Sequence, residues 1–245
     1  MLGIISALDE ELALFKENAT VEQVVRQAGL DFHFALLANR KVILLKSGVG
    51  KVNAAVATQV LIDRFGVDAV IFTGIAGSLV PHLKQQDIVI SNFVVQHDID
   101  LTAFGRRPGE IPELTRLIEA DPKLVAAASD AFDRVSEDES AAGQMVVGTI
   151  ATGDSFVSDP QKIKWLQREF GAVATEMEGG AVGQVCQMNR VPFVVIRVIS
   201  DGAGEGAAAE FIMFLEQASQ LTFRLVTSLI SKQGTLAGIG TGKVG

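Results

Sequence analysis

Carboxylates stand directly after apolar, β-branched runs at three separate places in this 245-residue chain. Asp9, Glu10 and Glu11 follow Leu2–Ala7, Glu176 and Glu178 follow Ala172–Thr175, and Asp201 follows Pro192–Ser200. Glycine-containing turns occupy matching places elsewhere: Ser47-Gly48-Val49-Gly50-Lys51, Thr73-Gly74-Ile75-Ala76-Gly77-Ser78 and Thr152-Gly153-Asp154-Ser155-Phe156-Val157. In open α/β sheets, ligands bind beyond the carboxyl ends of the strands, which makes these groups candidates for one cleft. Glycine there lets the backbone approach a ligand closely. Carboxyl groups held in unlike environments can do opposite proton work, one as acid and another as base. Each acid alone could equally cap a helix or complement its dipole, and each glycine could serve only its turn. Their coincidence, with almost no basic residue beside them, is the informative feature, because clustered carboxylates are costly to keep without a use.

Other chemistries fit less well. His97-Asp98-Ile99-Asp100 has the residue types of a metal site, but the chain has three histidines and none lies near His97, so no metal is expected. Ser200-Asp201 has no histidine placed to complete a triad. Ser47–Lys51 and the later Gly238–Lys243 lack the spacing and the following hydroxyl of a phosphate-binding P-loop.

The elements that must position these groups alternate. Strands are expected at Leu2–Ala7, Asp31–Ala38, Lys41–Ser47, Ala69–Thr73, Asp87–Val95, Gln144–Ala151, Ala172–Glu176 and Pro192–Ser200. Helices are expected at Glu10–Glu17, Lys51–Phe65, Pro122–Val135, Pro160–Glu169, Gly180–Asn189 and Ala208–Ile230. This order implies an α/β fold. A single-domain, three-layer α/β/α sandwich is expected, with helices on both faces of a mixed, mostly parallel, twisted central sheet. The domain covers 1–232, and a glycine-rich tail follows at 233–245. The polar stretch from Asp98 to Pro112 is too long for a simple turn and reads as a functional loop.

Composition narrows the partners. Hydrophobic residues make up 48% of the chain and the net charge is −8; a nucleic-acid partner, which needs a positive footprint, is not expected. The apolar N-terminal run is short, is followed at once by acids and has no basic residue before it. It reads as a buried strand rather than a leader. No run reaches the roughly 20 apolar residues of a membrane helix, and the single cysteine, Cys186, suits a reducing compartment. A cytoplasmic protein with a small-molecule ligand is the resulting expectation.

Six motifs, in order, resemble the 5′-methylthioadenosine/S-adenosylhomocysteine nucleosidases of the nucleoside phosphorylase superfamily. They are Gly3–Glu11, Lys46–Val52, Gly74–Leu79, His97–Phe104, Glu176-Met177-Glu178 and Arg197–Asp201. The resemblance runs over about residues 1–232 and implies hydrolysis of an adenine N-glycosidic bond without a cofactor. It implies that Glu11 activates water, that Glu178 binds the ribose hydroxyls and that Asp201 protonates or hydrogen-bonds purine N7. Arg197 joins these catalytic groups. The resemblance further implies that Phe156 flanks the adenine and that the Val157 backbone reads its edge. Met177 and Phe211 would line the ribose and 5′ pocket with Leu8, Val49 and Leu101. Glu176, Ser200 and Ile75 belong to the same pocket motifs. Phe104 and Pro112 would complete the pocket of a partner subunit, which implies a homodimer.

The phosphorylases of the same superfamily bind phosphate with arginines and a serine. Here the first loop is acidic, and Phe72 and Ile75 occupy the corresponding strand-end loop, so water is the expected nucleophile. Two departures stand out. Many relatives have serine at the place of Ile75, and Gly202-Ala203-Gly204 replaces an alanine followed by an acid. 5′-Deoxyadenosine and 6-amino-6-deoxyfutalosine are further candidate substrates; a phosphate-dependent phosphorylase and a non-catalytic nucleoside-binding or storage protein are alternative functions.

Overall fold

The computed structural model describes residues 1–138, 143–202 and 207–231. The expected tail, 233–245, lies outside the described residues. The strands are β1 (Leu2–Ser6), β2 (Thr20–Gln27), β3 (Leu30–Leu37), β4 (Arg40–Lys46), β5 (Ala69–Ser78), β6 (Ile88–Gln96), β7 (Ile118–Glu119), β8 (Met145–Thr152), β9 (Ala172–Glu176) and β10 (Phe193–Asp201). The helices are α1 (Asp9–Asn18), α2 (Lys51–Phe65), α3 (Pro122–Asp138), α4 (Pro160–Phe170), α5 (Gly179–Asn189) and α6 (Ala207–Ser231).

All ten strands join one sheet. Among the described residues, parallel and antiparallel pairings are equally frequent. The sheet is therefore mixed, as expected, but not mostly parallel. One part of it closes on itself. β5 pairs with β10, β10 with β6, β6 with β8, β8 with β9, and β9 returns to β5. β1, β4, β3 and β2 extend from β5 as an open wing, and the short β7 pairs with β6.

Alternation along the strands divides the core. On β1, Ile4 faces a layer that includes Leu12 and Phe15 of α1, Leu124 and Phe132 of α3 and Leu225 and Leu229 of α6. Ile5 faces Ala54 and Leu61 of α2 and Val182 and Cys186 of α5. That period-2 switch is what a strand with both faces covered requires. A third, smaller cluster seats Leu166 and Phe170 of α4 against Ala151 and Ala172. The helix ends follow ordinary chemistry. Asp159 accepts a hydrogen bond from the Gln161 N–H (2.9 Å) ahead of Pro160, and Gly171 closes α4 in the left-handed region.

Four details differ from the sequence reading. β7, only two residues long, carries no periodic signal and was not expected. β2 was not expected. It is a sheet-edge strand with nearly every residue exposed, so it carries no alternating apolar signal. The β3–β4 turn centres on Ala38 and Asn39, both at positive φ, one residue earlier than expected. β5 does not stop at Thr73; it runs on through Gly74 to Ser78 and pairs with β10 and β9.

Candidate active site

Glu11, Glu178, Arg197 and Asp201 all line one cleft, with Glu176 beside them. Its empty space, mouth included, is about 640 Å³, within the size range of small-molecule sites. Leu8, Val49, Ile75, Phe156, Val157 and Met177 also line it. Ser200 lies just behind. Its side chain is buried, and its Oγ donates to Asp201 Oδ2 (2.8 Å). Leu101, Phe104 and Pro112 lie outside the lining of this chain's own cleft, and Phe104 is 81% exposed. Phe211 falls on α6, but its side chain is outside the described residues. The lining also includes Ala7, Ala76, Gly77, Ser155 and Thr175, members of the strand-end segments to which the sequence reading gave no individual role.

Each carboxylate is placed by a different element. Glu11 occupies the third position of α1 and turns back over the helix start. Its Oε2 accepts the N–H of Ala7 (2.9 Å) and Leu8 (3.0 Å), and its Oε1 accepts the N–H of Ile75 (3.1 Å). The helix-capping role and the site role are thus filled by the same residue, with donors that belong to an α-helix start.

Glu176 ends β9 and accepts from the Gly179 N–H (2.7 Å), the Glu178 N–H (3.2 Å), the Thr152 hydroxyl and Arg197. Glu178 caps α5 by position. Its Oε1 accepts the Gly50 N–H (2.8 Å), and its Oε2 lies 3.4 Å from Arg197 Nη2.

Arg197 is the central cation, 1% exposed, on β10 between these acids. Its guanidinium lies 4.4 Å from the centroid of the Phe72 ring, a contact that favours a desolvated cation. Glycine at position 74 is a spatial necessity. A Cβ there would collide with the Arg197 guanidinium and the Glu11 carboxylate.

The electrostatics follow from burial. Burial pushes the Glu11 carboxyl above its ordinary range, and Arg197 and three backbone N–H groups reduce the shift without cancelling it. Glu178 is raised to about 7, first by burial and then by the neighbouring Glu176 charge; Arg197 and the Gly50 N–H oppose this. Glu11, Glu176 and Glu178 share one close guanidinium. An excess of negative charge in a dry site favours a positively charged ligand or transition state.

His97 does not enter the cleft. It is buried, its two ring nitrogens have no hydrogen-bond partner among the described residues, and the ring abuts Gly153 and Trp165. Burial, and then Lys162, lower it to about 4.

A family model of the phosphorylase superfamily matches residues 1–231. A 5′-methylthioadenosine/S-adenosylhomocysteine nucleosidase of Geobacillus thermodenitrificans is 42% identical over 230 residues, covering 94% of this chain and 95% of the relative.

The chain belongs to this nucleosidase family.

Two solved structures resemble it over the same extent. A nucleosidase of the same family from Colwellia psychrerythraea, in complex with adenine, is 40% identical with a TM-score of 0.88. It covers 94% of this chain and 93% of its own. The futalosine hydrolase of Helicobacter pylori is 36% identical with a TM-score of 0.87, covering 94% and 96%. The nucleosidase family thus provides both the mixed α/β fold and the enzyme class, a hydrolase of glycosidic bonds.

Proposed function

We propose that this nucleosidase hydrolyses the N-glycosidic bond of 5′-methylthioadenosine and S-adenosylhomocysteine, releasing adenine and the 5-substituted ribose. The observation that carries this reading is the convergence of Glu11, Glu178, Arg197 and Asp201 on one cleft whose remaining lining is mostly apolar. Cleavage of the C1′–N9 bond builds positive charge on the ribose and negative charge on the purine. Glu178, anionic beside the sugar, stabilises the oxocarbenium-like state. Asp201 donates its proton to N7, which turns adenine into a neutral leaving group. Glu11, held by Ala7, Leu8 and Ile75 N–H groups, takes the proton of the attacking water.

Ile75 offers only its backbone N–H to this machinery, and that group is already bound to Glu11. Water placement then rests on Glu11 and Arg197. Phosphate is disfavoured as a nucleophile because Glu11 and Glu178 would repel it, while the nearest cation already pairs with Glu176 and Glu178. Phe156, 47% exposed, flanks the adenine, and Val49, Met177 and Leu8 face the 5′ substituent.

The protein acts as a homodimer in the cytoplasm, with Phe104 and Pro112 completing the partner's pocket. Supporting this, α2 exposes Val52 and Val56 one turn apart, close to exposed Val49, and Phe104 projects into solvent. No described helix is long and apolar enough to cross a membrane. Adenine release from 5′-methylthioadenosine in phosphate-free buffer tests the reaction. Release with free methylthioribose supports it; strict dependence on phosphate would overturn it in favour of a phosphorylase. Sedimentation of the purified protein tests the dimer.

A further inference from the structure

Two loops that frame the cleft are tied together by a residue outside it. Asp98 stands two residues after β6. Its Oδ1 accepts from Lys51 Nζ (2.7 Å) and its Oδ2 from the Asp154 N–H (3.0 Å). Asp154 in turn accepts the Lys51 N–H on Oδ1 (2.8 Å). Lys51 opens α2, and the residue before it, Gly50, donates its N–H to Glu178. Asp154 opens the segment that presents Ser155, Phe156 and Val157 to the cleft. Gly50 has φ +96°, and a Cβ there would lie 3.1 Å from Asp154 Oδ1, so the two loops meet with little room for a side chain.

We propose that Asp98 is a positioning residue that clamps the start of α2 to the 153–157 loop and thereby holds the Gly50 N–H on the Glu178 carboxylate. The proposal deepens the reading above, in which Glu178 works as an anion. A hydrogen bond donated to a carboxylate favours its ionised form. With burial and Glu176 both opposing ionisation, the Gly50 N–H is one of the few groups that favour it. The other groups facing Glu178 are Arg197, which favours the anion, and Glu11, which opposes it. Asp98 itself faces Lys51, His97 and Lys162. Burial alone would raise its carboxyl, but Lys51 and the Asp154 N–H outweigh this and hold it below the usual range. It therefore stays ionised as a clamp wherever the enzyme works.

Positioning and plain charge predict opposite outcomes for Asp98→Ala. Removing an anion by itself makes Glu178 easier to ionise. Loosening the Gly50 N–H makes it harder. The readout is the titration midpoint of Glu178, followed by carbon-13 NMR of side-chain-labelled glutamate and assigned with Glu178→Gln. The clamp predicts an upward shift of about half to one pH unit in Asp98→Ala. It predicts a smaller upward shift in Asp98→Asn, whose amide oxygen still accepts the Asp154 N–H. Activity should follow: kcat/KM falls about three- to tenfold at pH 6 and converges on the wild type at high pH, as a raised midpoint requires.

A downward or absent shift in a folded Asp98→Ala protein would overturn the clamp, as would an equal rate loss at every pH. If that variant does not fold, Asp154→Ala removes the clamp's second carboxylate and makes the same prediction. The NMR titration needs no substrate. A shifted Glu178 in a chain that releases no adenine would retain the clamp and sink the hydrolase reading; the reverse result would do the opposite.

Discussion

On the floor of the cleft, both oxygens of Glu11, Glu176 and Glu178 are held by backbone N–H groups, Thr152 or Arg197. At its rim, Phe156 is half exposed, and Phe104, on the neighbouring loop, is 81% exposed. The floor is assembled from strand ends and helix starts whose geometry is fixed by the sheet. The rim projects apolar surface that only a ligand or a second chain can bury. Floor groups must hold charge in a dry place, which demands preorganised partners. Rim groups contribute by being covered, and the cost of ordering them on binding subtracts from that gain.

Substitutions on the floor should therefore act on rate, pH dependence or stability according to the group removed, and those on the rim should act on binding alone. The largest effect is expected from Asp201→Asn. Its amide cannot donate a carboxyl proton, and kcat should fall by about 10²–10⁴ with the circular dichroism spectrum unchanged. A variant that retains a tenth of wild-type kcat would remove Asp201 as the acid.

Arg197→Met comes next, because it leaves buried Glu176 and Glu178 without their shared cation. A loss of about 3–5 kcal/mol is expected in urea unfolding; stability within 1 kcal/mol of wild type would show that the acids simply take up protons.

Glu178→Gln sharpens the comparison through pH. The folded midpoint of Glu178 is about 7 against an ordinary 4.5. The folded state thus keeps a proton that the unfolded chain has lost. Stability of the free enzyme should fall as pH rises through that window, and Glu11, shifted the same way, adds to the slope. The proposed mechanism uses the anion of Glu178, so kcat/KM of the wild type should rise with pH up to about 7. A melting temperature that slopes equally with pH in wild type and Glu178→Gln would refute the assignment.

The smallest effect is expected at the rim. Phe104→Ala should raise KM about tenfold, the worth of burying one aromatic side chain, with kcat and monomer stability little changed. A fall in kcat without a change in KM would place Phe104 with the floor.

The floor was more legible in the sequence than the rim. Strand-end carboxylates announce themselves because a charged residue after a β-branched run is an obvious break in pattern. Apolar periodicity and capping signals place five of the six expected helices, α1 included, within one residue at each end, and α3 runs three residues past its expected end at Val135. β2 was missed because an exposed edge strand buries nothing and so writes no alternation. The continuation of β5 was missed because Gly74 and Gly77 read as turn residues. Their smallness instead admits Arg197 and Glu11 at Gly74 and leaves room at the cleft by Gly77. Asp98, Asp154 and Gly50 were visible as motif members, yet their joint role depends on three segments about 50 residues apart meeting in space, which spacing alone does not encode. Leu101, expected to line the 5′ pocket, lies outside the lining of this chain's cleft, as do Phe104 and Pro112, which the resemblance assigns to a partner's pocket.

The closed ring of β5, β10, β6, β8 and β9 also dictates an order of events during synthesis. β1 to β5 can begin pairing once about a third of the chain has emerged, because each of β1, β4 and β5 finds its neighbour within that segment. The ring cannot close until β10 arrives, since that strand joins residues 70–77 to residues 193–201. Such distant pairings are slow to form. Arg197 and Asp201 ride on that last strand, so the buried acids wait for their counter-ion until the barrel is shut. A nascent chain released before residue 197 would carry the acidic loops without their cation and would have no means of closing the site.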